Sequence, residues 1–252
     1  MGVAVVTGAQ RGMGKAIALA LAEEGFDVAA VDLELTPALK ETVSEIQSKG
    51  VKSIALACDI ADLSSHGTIL DQTHQMLGPL TTLVNNAGVS VKTRGDLLDV
   101  SPDSFDHCLN INTRGTFFFT QAFARRVRDT VTPCHRSIIT ITSANAIAVS
   151  IARGEYCISK AGASMMSKLF AARLSDEDIG VYEIQPGFID TDMVAPSKTK
   201  YDALIDNGLT VIKRFGKPQE VGRIVMTLAT GLLPYTTGQI IQADGGLLSV
   251  RY

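Results

Sequence analysis

The sequence has no long apolar segment and no charged leader. Its 252 residues contain no apolar run that approaches the roughly 20 residues of a membrane span. The first segment, Met1–Gly8, lacks the positively charged region and the cleavage site of a secretory signal. We therefore expect this segment to contain a first strand, and we expect no membrane partner.

Cysteine and histidine are too few and too scattered for the sites that they usually build. The four cysteines include no C-x-x-C pair, and the four histidines show no metal-ligand spacing with carboxylates or cysteines. The sequence therefore predicts free thiols in a reducing cytoplasm and no metal site. The formal net charge of −3 also argues against a nucleic-acid partner, which requires a basic surface.

What is present is the composition of one globular α/β domain. Hydrophobic residues make up 46% of the chain and charged residues 19%, and no linker divides residues 1–252. Short β-branched runs alternate with helical patterns, which predicts repeated βαβ units and a parallel sheet. The predicted strands are Val3–Val6, Val28–Val31, Ser53–Ala57, Leu83–Asn85, Ser137–Thr142, Val181–Gln185 and Gln239–Ala243. The predicted helices are one that ends at Gly25, Pro37–Lys49, Ser64–Leu77, Thr113–Arg128 and one from Tyr156 to about Ser175.

The segment 188–215 interrupts this alternation. It carries no clear strand and contains a run of proline, serine, threonine and lysine around Pro196. An insertion at this point of an open α/β sheet is a candidate substrate lid. The alternative is an ordinary connecting loop with a helix or two.

A glycine-rich loop follows the first predicted strand. Thr7–Gly14 reads Thr-Gly-Ala-Gln-Arg-Gly-Met-Gly and leads into a helix. Glycines at such a junction permit a tight turn and let the backbone approach a pyrophosphate, which the free N–H groups of the helix start then bind. The spacing is G-x-x-x-G-x-G and not the general G-x-G-x-x-G, but its place between a strand and a helix predicts a dinucleotide site.

Asp32 closes the second predicted strand. A carboxylate there accepts hydrogen bonds from the ribose hydroxyls of NAD and would face the additional phosphate of NADP as a like charge. Arg11 is the only obvious counter-ion in the glycine loop. NAD is therefore the predicted cofactor, and NADP is the alternative.

Tyr156 and Lys160 are four residues apart on one predicted helix, so their side chains share a face. A nearby ammonium favours the ionised form of a phenol, whose free pKa is ~10. A phenol that ionises near neutral pH exchanges a proton with an alcohol or a carbonyl. Because the same spacing also occurs on helices that present both side chains to solvent, its meaning depends on the other motifs.

Further short motifs accompany the glycine loop and the Tyr156–Lys160 pair. They are Asn85–Gly88 (N-N-A-G), Cys58–Ile60, Ile111–Gly115, Pro186–Gly187 and Thr237–Gly246. In this order and spacing the motifs resemble those of the short-chain dehydrogenase/reductase family, over essentially the whole chain. The resemblance implies a single-domain Rossmann fold, with a doubly wound parallel sheet of seven strands and helices on both faces.

The resemblance also implies roles for individual residues. Tyr156 would be the general acid/base, and Lys160 would lower its pKa and bind the nicotinamide ribose. Ser143 would hold the substrate oxygen, and Asn112 would support a water that links Lys160 to solvent. The implied reaction is hydride transfer between the nicotinamide and the carbon that bears the substrate oxygen. The implied cofactor contacts are Gly8, Gln10, Arg11, Gly12, Met13, Gly14, Asp32, Leu33, Asp59, Ile60, Asn86, Ala87, Gly88, Tyr156, Lys160, Pro186, Gly187, Ile189 and Thr191.

The substrate is less constrained. Overall similarity is to the 3-oxoacyl-[acyl-carrier-protein] reductase branch, whose fatty-acid synthesis members generally use NADPH. Asp32 and the loop Ser150–Glu155, which lacks that branch's Gly-rich stretch, depart from it. We therefore expect a small polar alcohol, of a sugar type or a hydroxy acid, and keep the acyl-carrier substrate as the alternative. The candidate substrate contacts are Ser143, Arg94, Asn145, Arg153 and Met193.

The sequence leaves open what Arg94 and Arg153 contact. Each arginine would meet an anionic substrate, or each would pair with a local acid such as Asp96 or Glu155.

A protein of another class, a catalytically inactive dinucleotide-binding sensor or scaffold, would carry a broken set of catalytic residues or a spoiled glycine loop. The sequence shows neither defect.

Two helices are apolar on more than one face. Phe117–Phe119 with Phe123 mark the first, and Met165, Met166 and Phe170 mark the Tyr156 helix. A helix of this kind needs a second partner besides its sheet. In the family that these motifs resemble, the two helices commonly form the subunit interface, so a homotetramer or homodimer is expected.

Overall fold

The first strand shows why the sheet is covered on both faces. β1 (Val3–Thr7) is buried along its whole length. Ala4 and Val6 belong to one apolar cluster, and Val3 and Val5 belong to another. Successive side chains of a strand point to opposite faces, so both faces of the strand are packed. Burial on both faces is typical of a parallel strand between two layers of helices.

The computed structural model describes residues 1–194 and 198–250. The further strands in this part of the chain are β2 (Asp27–Asp32), β3 (Ser53–Ala57), β4 (Leu80–Asn85), β5 (Arg136–Ile141), β6 (Ile179–Pro186) and β7 (Ile240–Ala243). All strand pairs are parallel, and the order of the seven-stranded sheet is β3-β2-β1-β4-β5-β6-β7. The direction of progress along the sheet reverses between β1 and β4, where such folds open a crevice for a ligand.

Helices occupy both faces of this sheet. They are α1 (Gly12–Glu23), α2 (Pro37–Gln47), α3 (His66–Leu77), α4 (Pro102–Leu109), α5 (Thr116–Val127), α6 (Gly154–Arg173), α7 (Lys198–Asp206) and α8 (Pro218–Ala229). Apolar side chains of α1, α2 and α8 fill one core, and those of α3, α5 and α6 fill the other. The predicted single-domain, doubly wound Rossmann fold is confirmed. None of the described helices combines the length and the apolar character needed to cross a membrane.

β4 begins three residues earlier than the sequence predicts, at Leu80 instead of Leu83. The two intervening threonines are buried, and their hydroxyl groups have partners. Thr81 donates to the backbone oxygen of Val3, and the hydroxyl of Thr82 lies 3.2 Å from that of Ser137. Because these bonds satisfy the hydroxyls, the central strand includes two polar residues, and the apolar pattern alone places its start too late.

Two helices, α4 and α8, have no counterpart in the predicted elements, whereas α7 lies where the sequence left open a helix or two. α8 packs against α1 through Val221, Val225 and Leu228, and its first turn is stabilised by Glu220, which accepts a hydrogen bond from the backbone of Lys217 at 2.7 Å. This spacing of apolar residues behind a proline is a recognisable helix signal. α7 lies within the candidate lid 188–215, of which residues 195–197 lie outside the described part of the chain.

Candidate active site

The glycine loop joins β1 to α1 at the crevice. Gly8 and Gly12 have positive φ angles of 66° and 55°. A Cβ atom on Gly14 would lie 1.9 Å from the backbone oxygen of Gly8, so only glycine permits this close packing. The N-cap residue of α1, Arg11, makes no side-chain cap hydrogen bond. The first N–H groups of the helix therefore face the crevice without a capping side chain, as a pyrophosphate site requires.

Asp32 at the end of β2 is already oriented by the loop. One carboxylate oxygen accepts a hydrogen bond from the backbone N–H of Gln10 at 3.0 Å, and the other accepts one from that of Leu33 at 2.9 Å. The Gln10 side chain is in turn bonded by the hydroxyl of Thr36 at 2.8 Å. The carboxylate thus stands in a fixed position beside the loop, where a ribose would lie.

The N-N-A-G segment follows β4 and supports the same loop. Asn86 donates from its side chain to the backbone oxygens of Thr7 and Gly8, both at 3.0 Å. Asn85 instead donates to the hydroxyls of Thr120 and Thr140, which ties β4 to α5 and β5. The second asparagine therefore shapes the cofactor loop, and the first holds the layers together.

These loops surround a cavity of about 600 Å³ at the carboxyl edge of the sheet. The predicted cofactor residues that line the cavity are Gly8, Gln10, Arg11, Gly12, Met13, Gly14, Asp32, Leu33, Asp59, Ile60, Asn86, Ala87, Gly88 and Thr191. Pro186, Gly187 and Ile189 lie at the end of β6 and outside this lining. Met193, predicted to contact substrate, lines this cavity as well. The lining also includes Val31, Val89 and Asp192, which the sequence did not indicate, and Cys58 and Ile111, which belong to the short motifs but were not among the predicted cofactor contacts.

Gly88 connects the cavity to the predicted catalytic groups. A Cβ atom on Gly88 would lie 3.0 Å from the side-chain oxygen of Asn112 and 3.3 Å from the ammonium of Lys160. A ligand that lies along the cavity and passes Gly88 therefore reaches these two side chains. Any larger residue at this position would press on them.

Asn112 lies in a π-helical segment, Asn110–Gly115, between α4 and α5. Its side-chain oxygen accepts from the backbone of Val89 at 2.8 Å, and its amide donates to Val89 and to the hydroxyl of Ser159, each at 2.9 Å. A π-helical turn re-aims side chains and is frequent at functional sites. One lone pair of the oxygen remains for a water, because an amide oxygen has two.

Tyr156 is buried in the first turn of α6 and meets Ser143, which follows β5. Burial raises the pKa of Tyr156, while a hydrogen bond with the Ser143 hydroxyl and the charge of Arg153 lower it. The ammonium of Lys160 lies on the same helix, 5.8 Å from the centroid of the Tyr156 ring.

Lys160 is buried one turn beyond Tyr156 on α6. Its ammonium donates to the backbone oxygen of Ile141 at 3.1 Å and lies 5.8 Å from the centroid of the Tyr156 ring. Burial lowers the pKa of Lys160 to about 8, and the negative charge of Glu183 opposes this shift. The buried ammonium has lost its hydrating water, so polar groups of a bound ligand would stabilise its charged form.

Glu183 is a buried carboxylate that sequence reasoning missed. It accepts hydrogen bonds from the hydroxyl of Thr142 at 2.6 Å, the hydroxyl of Ser164 at 2.8 Å and the amide of Gln185 at 2.8 Å. These partners belong to the end of β5, to α6 and to β6. The network thus braces the strand end before Ser143 against the helix that carries Tyr156. Its only sequence signal is an acid inside a predicted buried strand.

The two arginines among the candidate substrate residues differ in their surroundings. Arg153 donates to the side-chain oxygen of Asn145 at 2.6 Å, next to Tyr156. Arg94 is exposed and has no hydrogen bond or ion pair with another described residue. Neither arginine pairs with the local acids: Glu155 accepts from the hydroxyl of Ser104 at 2.6 Å, and Asp96 accepts from the backbone of Leu98 at 2.9 Å.

Within residues 1–194 and 198–250, histidine, cysteine and carboxylate side chains form no cluster of three or more that would hold a metal ion. The functional groups that meet at the candidate site are hydroxyl, phenol, amide and ammonium groups. These groups bind and orient a polar molecule and move a proton. A glycine cradle beside them fits a dinucleotide.

The fold and this site define a class, the nicotinamide-dependent oxidoreductases that interconvert CH–OH and C=O groups. A family model described as "Enoyl-(Acyl carrier protein) reductase" matches residues 8–248. Together with the relatives below, this match shows that the chain belongs to the short-chain dehydrogenase/reductase family. It is accordingly an oxidoreductase whose relatives take a nicotinamide dinucleotide.

Three relatives illustrate the range of the family. The 3-oxoacyl-[acyl-carrier-protein] reductase FabG of Thermotoga maritima is 33% identical over 249 residues, which are 98% of this chain and 97% of that protein. A crystal structure of 3-oxoacyl-[acyl-carrier protein] reductase from Brucella melitensis, in complex with NAD, is 41% identical with a TM-score of 0.96, covering 100% of this chain and 98% of that one. A putative 2-deoxy-d-gluconate 3-dehydrogenase from Agrobacterium tumefaciens, with bound NADP, is 28% identical with a TM-score of 0.86, covering 98% and 96%.

Proposed function

We propose that this protein interconverts a secondary alcohol and a carbonyl compound, with Tyr156 as the general acid/base. The observation that carries the proposal is the meeting of Ser143, Tyr156 and Lys160 beside the Gly88 end of the cavity. When bound there, a nicotinamide dinucleotide supplies or accepts a hydride. Its adenine, pyrophosphate and ribose groups would be held by the residues that line the cavity.

The protein groups handle the proton and the substrate oxygen. The Ser143 hydroxyl holds the oxygen close to the phenol and stabilises the charge that develops on it. In alcohol oxidation the Tyr156 phenolate accepts the hydroxyl proton; in carbonyl reduction the phenol returns it. Lys160 binds the nicotinamide ribose, and Asn112 supports the water through which the proton reaches solvent.

NAD is the proposed preferred cofactor. Both oxygens of Asp32 are fixed by backbone N–H groups, so the carboxylate cannot turn away from a 2′-phosphate. Arg11 does not compensate it, because its guanidinium pairs with Asp192 at 3.4 Å. The NAD complex of the Brucella melitensis protein supports this preference, whereas the NADP bound to the Agrobacterium tumefaciens protein keeps NADP as the alternative.

The proposed substrate is a small polar alcohol, of a sugar type or a hydroxy acid. Arg153 and Asn145 stand beside Tyr156, and the half-buried guanidinium has no carboxylate partner among the described residues. Arg94, which is exposed, and Met193, which lines the cavity, are the other proposed substrate contacts. The relative described as a putative 2-deoxy-d-gluconate 3-dehydrogenase supports a sugar-acid class.

A second candidate is the reduction of a 3-oxoacyl group on an acyl-carrier protein with NADPH. The names of the Thermotoga maritima and Brucella melitensis relatives favour it, at 33% and 41% identity. Asp32 argues against the NADPH part of this candidate. A comparison of acyl thioesters with polyols and hydroxy acids, each with both cofactors, separates the two candidates.

The segment 188–215 is the proposed lid. Its two ends are tied together, since the backbone N–H of Asp190 donates to Gly216 and that of Gly216 donates to Phe188, both at 2.9 Å. Inside the segment, Tyr201 of α7 packs on the ring of Phe188 with centroids 4.4 Å apart. A loop closed at its base moves as one unit over the cavity that Thr191 and Asp192 line.

A homotetramer or homodimer is the proposed assembly. Ile158, Met165 and Leu169 form an apolar stripe along α6, and each is more than half exposed, at 51%, 55% and 57%. Met166, also predicted to lie on the second face, is buried within the chain. An exposed stripe of this kind supports a contact between subunits.

A reducing compartment, the cytoplasm, is the proposed location. The four cysteines are free thiols, and two of them, Cys58 and Cys108, are buried. Burial raises the pKa of both, that of Cys108 to about 11. Thiols in this state are inert toward disulfide exchange and fit a reducing environment.

The proposed function is tested by Tyr156→Phe, which keeps the ring and removes the acid. Turnover of a panel of hydroxy acids, polyols and acyl thioesters is followed by nicotinamide absorbance. We expect the variant to lose about 10²–10⁴-fold in kcat, the usual contribution of a general acid/base. Tyr235→Phe, at a fully exposed tyrosine, is the control. Near-normal turnover in Tyr156→Phe would refute the mechanism, and no turnover of the panel by the wild type would favour a dinucleotide-binding sensor.

A further inference from the structure

Arg153 is held beside the catalytic tyrosine by neutral partners. It ends a single 3₁₀ turn, Ile151–Arg153, directly before α6. Its guanidinium carbon lies 5.3 Å from the centroid of the Tyr156 ring. One terminal nitrogen donates to the side-chain oxygen of Asn145 at 2.6 Å, and the inner nitrogen donates to the hydroxyl of Ser150 at 3.4 Å. The cation is therefore fixed over the phenol by groups that do not neutralise it.

Asn145 links this cation to the turn that carries Ser143. Its backbone N–H donates to the Ser143 hydroxyl at 3.1 Å, and its side-chain amide donates to the backbone oxygen of Ala148 at 3.0 Å. Ser143 and Arg153 are thus parts of one braced structure. A shift of the guanidinium would disturb the serine turn, which keeps both groups in register with the phenol.

The charges around Tyr156 come from four directions. On α6 itself the titratable neighbours are Glu155, Cys157 and Lys160. The Glu155 carboxylate accepts a hydrogen bond from the hydroxyl of Ser104. α4 contributes Cys108, whose burial keeps it a thiol, and β6 contributes Glu183 behind Lys160. The turn before α6 contributes Arg153. Among these groups Arg153 is the cation without an anionic partner, since the negative charge of Glu183 acts on Lys160.

We propose that Arg153 is a second cation of the catalytic site, which stabilises the phenolate of Tyr156 together with Lys160. An unneutralised guanidinium near a phenol favours the ionised form, and low surrounding polarity strengthens the effect. In alcohol oxidation the carbon–hydrogen bond gives its hydride to the oxidised nicotinamide, and the hydroxyl proton passes to the phenolate. Arg153 makes that phenolate available at a lower pH. This inference rests on the proposed function of Tyr156, and the lowering of the Tyr156 pKa by the charge of Arg153 supports it.

The first test needs no substrate and no cofactor. Ultraviolet absorbance of tyrosinate is titrated in each protein and in the same protein with Tyr156→Phe, and the difference isolates Tyr156. We expect Arg153→Gln, which keeps a donor toward Asn145, to raise the titration midpoint by about 1–3 pH units. Arg153→Lys, which keeps the charge, should hold the midpoint close to that of the wild type. Asn145→Asp adds a carboxylate beside Arg153 and should raise the midpoint while the arginine stays in place.

An unchanged midpoint in both Arg153→Gln and Asn145→Asp would overturn the proposal. So would a wild-type Tyr156 that does not ionise before the protein unfolds at alkaline pH. Arg173→Gln, at the other end of α6, is the control for loss of one positive charge and should leave the midpoint in place. Because the titration does not depend on turnover, its result stands apart from any failure of the proposed reaction.

The second test uses the pH dependence of kcat/KM for alcohol oxidation. The acid limb of the profile should move to higher pH in Arg153→Gln and return in Arg153→Lys. A purely structural role would lower the melting temperature and leave the limb in place. A role in binding an anionic substrate would raise KM for acids alone without moving the limb. Either of the last two results would overturn the proposal.

Discussion

The ammonium nitrogen of Lys160 lies 3.1 Å from the backbone oxygen of Ile141 and donates a hydrogen bond to it. Ile141 ends β5 two residues before Ser143, so the bond joins the helix of Tyr156 to the strand end that carries the serine. The two elements that carry the proposed catalytic residues are therefore held together by a side chain of the same candidate site. Buried charge at this junction has consequences for stability and for pH dependence.

The first prediction concerns Lys160→Met in the cofactor-free protein. Burial lowers the pKa of Lys160 from 10.5 to about 8, so the charged form is disfavoured in the folded state. The shift corresponds to ~3 kcal/mol, and the lost bond to Ile141 subtracts about 1 kcal/mol. We expect the variant to be more stable than the wild type by about 1–3 kcal/mol at neutral pH, and to be inactive.

The sign of the pH dependence follows from proton binding. Between about pH 8 and pH 10.5 the unfolded wild type binds more protons than the folded one, so its stability rises with pH. The advantage of Lys160→Met should therefore be greatest below pH 8 and shrink above it. Urea unfolding at neutral and alkaline pH measures both quantities. A variant less stable than the wild type at neutral pH would contradict the prediction.

The second prediction concerns Asp32→Ser and the choice of cofactor. The substitution removes the negative charge that faces a 2′-phosphate and keeps a small polar group. Because a like-charge contact costs several kcal/mol, we expect the ratio of kcat/KM for NAD to that for NADP to fall about 100-fold or more. Steady-state kinetics with both cofactors measure the ratio.

Glu34→Gln is the matched control for Asp32→Ser. Glu34 lies two residues further along the chain and is exposed, with no side-chain partner among the described residues. Its loss removes the same charge from the same region without touching the Gln10 and Leu33 backbone bonds. An equal change of the NAD to NADP ratio in both variants would show that general charge, and not the placed carboxylate, sets the preference.

The third prediction concerns Glu183→Gln. The carboxylate accepts three hydrogen bonds, but the amide of a glutamine donates and has only one oxygen to accept with. At least one buried donor loses its partner, which costs about 1–3 kcal/mol. The pKa of Lys160 should also fall further, because the charge that opposes its lowering is gone.

Chemical unfolding measures the change in stability of Glu183→Gln, and cofactor titration measures whether the change at Lys160 alters cofactor affinity. Glu24→Gln, at an exposed position without a side-chain partner in the described chain, should change stability by less than about 0.5 kcal/mol. Unchanged stability together with unchanged cofactor affinity in Glu183→Gln would show that the Glu183 network has no role in the site. A loss of stability alone would leave it as a brace only.

Most residues that the sequence predicts for the cofactor line one cavity, whereas the groups around the tyrosine are brought together from distant parts of the chain. The glycine loop, Asp32 and the Asn85–Gly88 segment follow directly on strands, and short motifs at strand ends are readable without tertiary contacts. The Glu183 network joins Thr142 and Ser164 across 41 and 19 positions of the chain. Local patterns carry no information about such pairs, so the network stayed hidden.

The same contrast holds for the fold. Apolar runs reveal β1 and β2 because every residue between their ends is apolar, whereas Thr81 and Thr82 concealed the start of β4. The partners that make those threonines tolerable lie on β1 and β5. For Arg153, the sequence left open whether the guanidinium meets an anionic substrate or pairs with the carboxylate of Glu155. Burial of that acid against Ser104 decides against the pair.

The last prediction concerns assembly and Met165→Glu. Met165 lies in the exposed apolar stripe of α6 and is 55% exposed. If a second subunit covers the stripe, the substitution buries an unpaired carboxylate, which is strongly unfavourable. We expect light scattering to give a dimer or tetramer of the 26.8 kDa chain for the wild type and a smaller species for the variant. Met76→Glu on α3 is the matched control, since Met76 is exposed to a similar degree, 59%, on another face. A wild-type mass of one chain, or dissociation by both substitutions, would refute the stripe as the interface.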